Sequence, residues 1–271
     1  MRYNVVMKYN LKLFVATLLS VFLIFFIWRV SYHHGCFTLL LPITVLFVIA
    51  HSFIEIKMQE RFCFRDCYFI EKSFFANLLS SRSFVIIFYI LLSILMGISV
   101  MYSVIDFTML FWMYLVFQIL FATFIYKWFS KILSKTIKKN FLSLFSREWA
   151  INISSILLLL VYVYISLEGY APEYLRETLA QTQLVASNTI SSSCNIVNYT
   201  LKVKVEIDSI FWWSFSSFAE HIDNTFLKSI AWIGFIFMNA LAILGLNRFI
   251  IQIVYYLDKI FSKDVTCVKI F

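Results

Sequence analysis

The sequence predicts an all-α integral membrane protein: a bundle of about six transmembrane helices with a small mixed extracytoplasmic segment and an interfacial amphipathic helix. Three observations predict it. Hydrophobic residues are 62% and charged residues 14% of the 271, against roughly 45–50% and about 25% in soluble domains. Six apolar runs are each long enough to cross a hydrocarbon core of about 30 Å, which takes about 20 helical residues. Lysine and arginine fall very unequally on the two sides of those runs. The mean hydropathy of +0.85 excludes disorder, collagen-like fibres, disulfide-rich modules and most soluble enzymes.

The runs are residues 11–28, 36–54, 84–105, 107–126, 150–166 and 230–246. Each is about twice the 9–11 residues that a barrel strand needs, so length decides for helices. Arg2, Lys8 and Lys12 precede the first run as they would precede a secretory signal. No A-x-A-like site follows it, and a second apolar run comes within a few residues, so a retained helix is expected. Five Gly and 2 Pro are few for a membrane protein, which favours unbroken helices over the discontinuous ones of many transporters.

Six spans place the N-terminus, loops 57–82 and 127–149 and the C-terminus on one side. That side carries 18 of the 23 basic residues, and the other carries 5. The acids divide 7 and 8, so the first side is strongly positive and is read as cytoplasmic. The net charge of +8 therefore points to orientation and an anionic inner leaflet. The basic residues are dispersed and form no nucleic-acid motif, so no nucleic acid is expected as a partner. The chain divides into a five-span region 1–166, an extracytoplasmic segment 167–228, and a sixth span with its tail, 229–271.

Within 127–149, Trp128, Phe129, Ile132, Leu133, Ile137, Phe141, Leu144 and Phe145 recur at helical spacing, with Lys131, Lys135 and Lys138 on another face. This pattern suits a helix lying on the lipid, with Lys131, Lys135, Lys138 and Lys139 toward anionic headgroups. A cytoplasmic extension of span four would show the same pattern. In the outer segment, Pro172, Glu173 and Glu177 suggest a helix over 172–185. Leu201, Val203, Val205 and Ile207 alternate with Lys202, Lys204, Glu206 and Asp208, which is the spacing of a strand. Trp212 and Trp213 within 211–218 fit an aromatic belt.

Cys63 and Cys67 sit four residues apart but lack the second ligand pair that structural zinc requires. Cys36 and Cys194 share the outer side, where a disulfide could form if the fold brings them together. His51 and Glu55 share a helix face near the inner end of span two, as an interfacial ion pair or a proton or ion ligand. Gln118 in span four and Asn239 in span six lie in mid-span, where lipid offers amides no partner. They read as interhelical glue or as pore-lining groups. Ala231, Gly234, Ala242 and Gly245 form a small-residue stripe on span six with Met238, and Ser93 and Gly97 repeat that spacing on span three. Such stripes let helices approach closely.

The sequence contains no P-loop, G-x-S-x-G, H-E-x-x-H or G-x-G-x-x-G motif, so neither an enzyme nor a cofactor is expected. The first functional expectation is a non-catalytic subunit that anchors or scaffolds a membrane complex, with protein partners or copies of itself. A small oligomeric channel or pore-forming effector is the alternative, and a secondary transporter comes third.

Overall fold

The computed structural model describes residues 2–68, 82–167, 172–221 and 225–267. Helix α1 is Arg2–Ser31, a 3-10 turn covers Cys36–Leu39, and α2 is Leu40–Tyr68. Helices α3 (Arg82–Ile105), α4 (Met109–Leu133) and α5 (Lys139–Leu167) follow, then α6 (Leu179–Asn188), α7 (Asn195–His221) and α8 (Thr225–Cys267). Six of these are long and apolar enough to cross a membrane: α1, α2, α3, α4, α5 and α8. The chain is an all-α, multi-pass integral membrane protein.

Local chemistry explains where the elements begin. Gly35 takes a φ of 143°, open to glycine but costly for other residues, and turns the chain into the 3-10 segment. Pro42 falls in the first turn of α2, where its missing N–H breaks no helical bond. Thr108 caps α4 by accepting from Phe111 N at 3.4 Å, and Thr178 caps α6 by accepting from Gln181 N at 3.3 Å.

The bundle is organised around α8, which packs against α1, α2, α3, α4 and α5. The outer five close a ring, since α1 meets α3 and α4, α2 meets α3 and α5, and α4 meets α5. From Leu246 to Gln252 every residue of α8 is buried. A helix covered on all faces is a core helix. Close approach is visible at Gly245, where a Cβ would lie 3.0 Å from atoms of Met96 and Val100 on α3. Gly97 faces another neighbour, Leu46 on α2. Across α1 and α3, Trp28 Nε1 donates to Met101 O at 2.8 Å.

Several sequence expectations are corrected here. Residues 201–208 are helical, inside α7. Val197, Leu201, Val205 and Ser209 are buried at four-residue spacing, while Val203 and Ile207 are exposed. The alternation was compatible with a strand, but the buried stripe has the helical period. The short outer helix begins at Leu179 instead of Pro172, because Thr178 supplies the cap and residues 172–178 form turns. Between α5 and α8 the described residues thus form helices and turns, with no strand. Segment 127–149 is no continuous helix on the leaflet: α4 runs to Leu133, residues 134–138 turn, and α5 begins at Lys139. The predicted spans 150–166 and 230–246 lie within α5 and α8; the side chains of 163–166 and 230–239 lie outside the described residues. In loop 57–82, α2 continues to Tyr68, and residues 69–81 lie outside the described residues.

Cys36 and Cys194 are joined in a disulfide, which ties the start of α7 to the 3-10 turn that leads into α2. Beside it, Ser192 Oγ donates to Tyr32 O at 2.6 Å, and His33 Nδ1 lies 2.6 Å from Ser191 O. Further along α7, Lys204 pairs with Asp208 and stands 5.1 Å from the centre of the Tyr102 ring on α3. Burial pushes the Asp208 carboxyl above its usual range, and the charge and hydrogen bond of Lys204 oppose that rise. At the opposite end of the bundle, Tyr9 Oη donates to Asp258 Oδ1 at 2.6 Å and Lys127 pairs with the same carboxylate. That contact fastens α1 and α4 to α8.

Candidate functional site

Polar side chains collect along α8 in the half of the bundle nearer Asp258. The first layer lies at Gln118, ten residues inward from the Thr108 cap, or about 15 Å of helix. Gln118 is fully buried. Its Nε2 donates to Ser154 O at 3.0 Å and to Asn247 Oδ1 at 2.7 Å. Its Oε1 accepts from Tyr114 Oη at 3.3 Å. Gln118 on α4 thereby joins α5 and α8. Its partner on α8 is Asn247; the side chain of Asn239 lies outside the described residues, as do those of Ala231, Gly234 and Met238.

A layer further inward is ionic. Arg147 on α5 donates from Nη1 to Glu55 Oε2 on α2 at 2.6 Å and to Gln252 Oε1 on α8 at 3.2 Å. Its guanidinium carbon stands 4.0 Å from the centre of the Tyr255 ring. His51 Nδ1 is 3.8 Å from Glu55 Oε2 and 2.8 Å from Tyr256 Oη. His51 and Glu55 therefore belong to one network with Arg147 between α2, α5 and α8.

A second set flanks it. Arg248 Nη2 lies 3.8 Å from Glu148 Oε2, and its guanidinium carbon is 3.7 Å from the centre of the Phe53 ring. Lys57 Nζ reaches Glu148 Oε1 at 2.9 Å and Glu60 Oε2 at 2.8 Å. Exposure grades across both sets. Side-chain exposure is 0% at Arg147 and 25% at Glu55, 8% at Arg248 and 14% at Glu148, and 37% at Glu60. The two arginines are deeper than their carboxylates, while Lys57, 28% exposed, lies with Glu60 at the rim.

Arg147, Glu148, Asn247, Arg248 and Gln252 escape a reading from sequence. Arg147 and Arg248 count there as loop charges that orient the chain; setting both aside leaves 16 basic residues against 5, so the imbalance persists. One signal was available. After Arg248 the sequence resumes Phe-Ile-Ile-Gln-Ile-Val-Tyr-Tyr, so Asn247 and Arg248 interrupt an apolar run instead of ending one. An arginine inside such a run must be paired or hydrated.

The proposed lipid contacts lie apart from this network. Lys131, Lys135 and Lys138 are exposed at the tip of the α4–α5 hairpin; the side chain of Lys139 lies outside the described residues, as do those of Cys63 and Cys67. On the side of the polar layers nearer Thr108, Val100, Phe107, Phe111, Leu158, Ala242 and Leu246 help line an apolar cavity of about 60 Å³. Comparisons of the chain with protein families, with curated proteins and with solved structures find no match.

Proposed function

We propose that this multi-pass protein is a non-catalytic membrane subunit that anchors or scaffolds a larger complex. The observation that carries the reading is the way buried polar groups bond one another across helices. Gln118 spends both amide ends on α4, α5 and α8, and Arg147 holds α2 and α8 together. Such bonds brace helices against one another. A braced bundle around one continuous central helix suits a rigid anchor better than the broken helices and moving halves of a secondary transporter. Its partners are membrane or cytosolic proteins, or further copies of this chain. Lys131, Lys135 and Lys138 at the hairpin tip contact anionic headgroups of the inner leaflet in this reading.

Orientation completes it: both termini face the cytoplasm. The basic residues support this, and so does the Cys36–Cys194 disulfide, since disulfides persist in oxidising compartments. Reporters fused after Ser187 and after Phe271 are expected to mark opposite compartments; the same compartment for both would overturn the orientation.

A small oligomeric channel is the second reading. It is favoured by the succession of ionisable groups from Asp258 up to Arg248 along α8. One experiment separates the two. The full chain is extracted in mild detergent and its companions identified, and the purified chain is reconstituted alone in planar bilayers. A scaffold brings stoichiometric companions and conducts nothing alone. Unitary currents from the purified chain, with no companion, would replace scaffold by channel.

A further inference from the structure

We propose that His51 is a proton-operated latch between α2 and α8: neutral, it holds the hydroxyl of Tyr256; protonated, it turns to Glu55 and releases Tyr256. The inference does not depend on the scaffold reading.

Two contacts of one nitrogen carry it. His51 Nδ1 lies 2.8 Å from Tyr256 Oη on α8 and 3.8 Å from Glu55 Oε2, one turn further along α2. Tyr256 offers a hydroxyl that donates, and an ionised Glu55 only accepts. A neutral imidazole with its proton on Nε2 keeps a lone pair at Nδ1 and accepts from Tyr256. A protonated imidazole carries N–H at both nitrogens and only donates. The same atom thus needs opposite partners in its two states, and one of each stands beside it. The phenol oxygen is also an acceptor, but a carboxylate makes a charge-assisted bond about twice as strong. Bringing Glu55 to bonding distance takes about 1 Å of movement, and a histidine side chain 46% exposed has room for it.

The surroundings decide what the switch moves. The groups that face His51 are Glu55 on its own helix, Tyr255 and Tyr256 on α8, and Arg147 on α5, which reaches the same Glu55 oxygen at 2.6 Å. Tyr255 Oη stands 3.5 Å from Glu55 Oε1, and Lys259 lies 5.9 Å from the centre of the Tyr255 ring. Arg147 favours the ionised carboxylate and opposes a second cation, so a protonated His51 shares Glu55 with it. The Tyr256 bond crosses from α2 to α8, whereas the Glu55 bond stays within α2. Protonation therefore exchanges a contact between helices for one inside a helix. Histidine is the side chain whose ordinary charge change falls between pH 5 and 8. Ionisable side chains continue from this layer to the exposed rim at Lys57 and Glu60, so the protons come from the aqueous phase on that side.

The test uses the full chain, labelled with nitrogen-15 at histidine, in lipid nanodiscs between pH 5 and 8. His51→Gln identifies the His51 resonances by removing them. At pH 8 the expected ring is neutral, protonated at Nε2 and accepting at Nδ1; toward pH 5 both nitrogens become protonated. Tyr256→Phe removes a bond made to the neutral ring, so the midpoint should rise. Glu55→Gln removes the charge that favours the protonated ring, so the midpoint should fall. Each shift should be about half to one pH unit, or roughly three- to tenfold in proton affinity. Amide exchange over residues 250–262 of α8, corrected for its intrinsic pH dependence, should quicken as the ring is protonated. His51→Gln always offers Tyr256 an acceptor and never charges, so it should abolish that change. The Tyr256→Phe midpoint decides alone should Glu55→Gln, which deprives Arg147 of its carboxylate, not fold. The latch would be overturned by a ring that does not titrate between pH 5 and 8, or by a midpoint unmoved or lowered in Tyr256→Phe. So would a midpoint that does not fall in a folded Glu55→Gln, or exchange that follows pH equally in His51→Gln.

Discussion

Replacing Gln118 by leucine removes a polar junction while keeping a side chain of similar bulk. Two bonds to other helices are lost, at 3.0 Å to Ser154 O and 2.7 Å to Asn247 Oδ1. Interhelical hydrogen bonds in membrane proteins average about 0.6 kcal/mol each and reach about 1.7 kcal/mol. Asn247 would then be buried with neither end of its amide bonded to the chain, a penalty of about 1–3 kcal/mol. The expected loss is about 2–4 kcal/mol, and leucine leaves little cavity to add to it. The assay is reversible unfolding in mixed micelles with increasing denaturing detergent. Asn247→Leu and the double variant complete a cycle. The coupling should be about 1 kcal/mol, because the double variant no longer strands either amide. Wild-type stability in Gln118→Leu, or a coupling near zero, would refute the reasoning that these amides brace α4 to α8.

Three further outcomes are expected. Arg147→Met should destabilise by about 3 kcal/mol, since it leaves Glu55 without its guanidinium. Arg147→Met with Glu55→Met should recover part of that loss, as replacing a whole buried pair often costs little; no recovery on thermal unfolding would count against the pair. Thiol counting on unfolded, unreduced protein should label two fewer cysteines than after reduction, and Cys36→Ser with Cys194→Ser should abolish the difference at a cost of about 2–5 kcal/mol. Equal counts would mean the bridge does not form. Asp208 binds its proton more tightly when folded than at its ordinary pKa of 3.8, so its contribution to stability is present at low pH and is lost as pH rises through the folded value. Thermal midpoints should therefore fall less steeply with pH above about 4 in Asp208→Asn than in the wild type; parallel profiles would contradict this.

Span number and helical class are legible in the sequence because hydrocarbon thickness fixes the length of an apolar run. The possibility of a Cys36–Cys194 bridge is legible as two thiols on one side, though not their meeting, which depends on how α7 docks. Residues 201–207 mislead because four apolar residues spaced by two satisfy a strand, while the helical stripe needs Val197 and Ser209 to be seen. The candidate site is half legible. Gln118 and Glu55 stand out by depth or by pairing with a neighbour in sequence. Arg147 and Arg248 do not, because a basic residue near a span end has the same sequence signature whether it faces water or a central helix. Which helix occupies the centre is a property of packing among all six, and no local pattern in α8 announces it.

The central position of α8 has a consequence for how the protein is made. All five helices that surround α8 precede it in the chain. At about 5–20 residues per second, the roughly 60 residues between Leu167 and Thr225 occupy the ribosome for about 3–12 s. Throughout that interval the earlier helices sit in the bilayer without their common neighbour. Gln118 waits for Asn247 and Arg147 for Gln252, whereas Glu55 and Arg147 already have each other. The α2–α5 ion pair is thus available to hold an open shell into which the late helix inserts. Defects in α8 would then surface first as nascent chains caught half-assembled and cleared by membrane proteases, lowering abundance before any purified property changes.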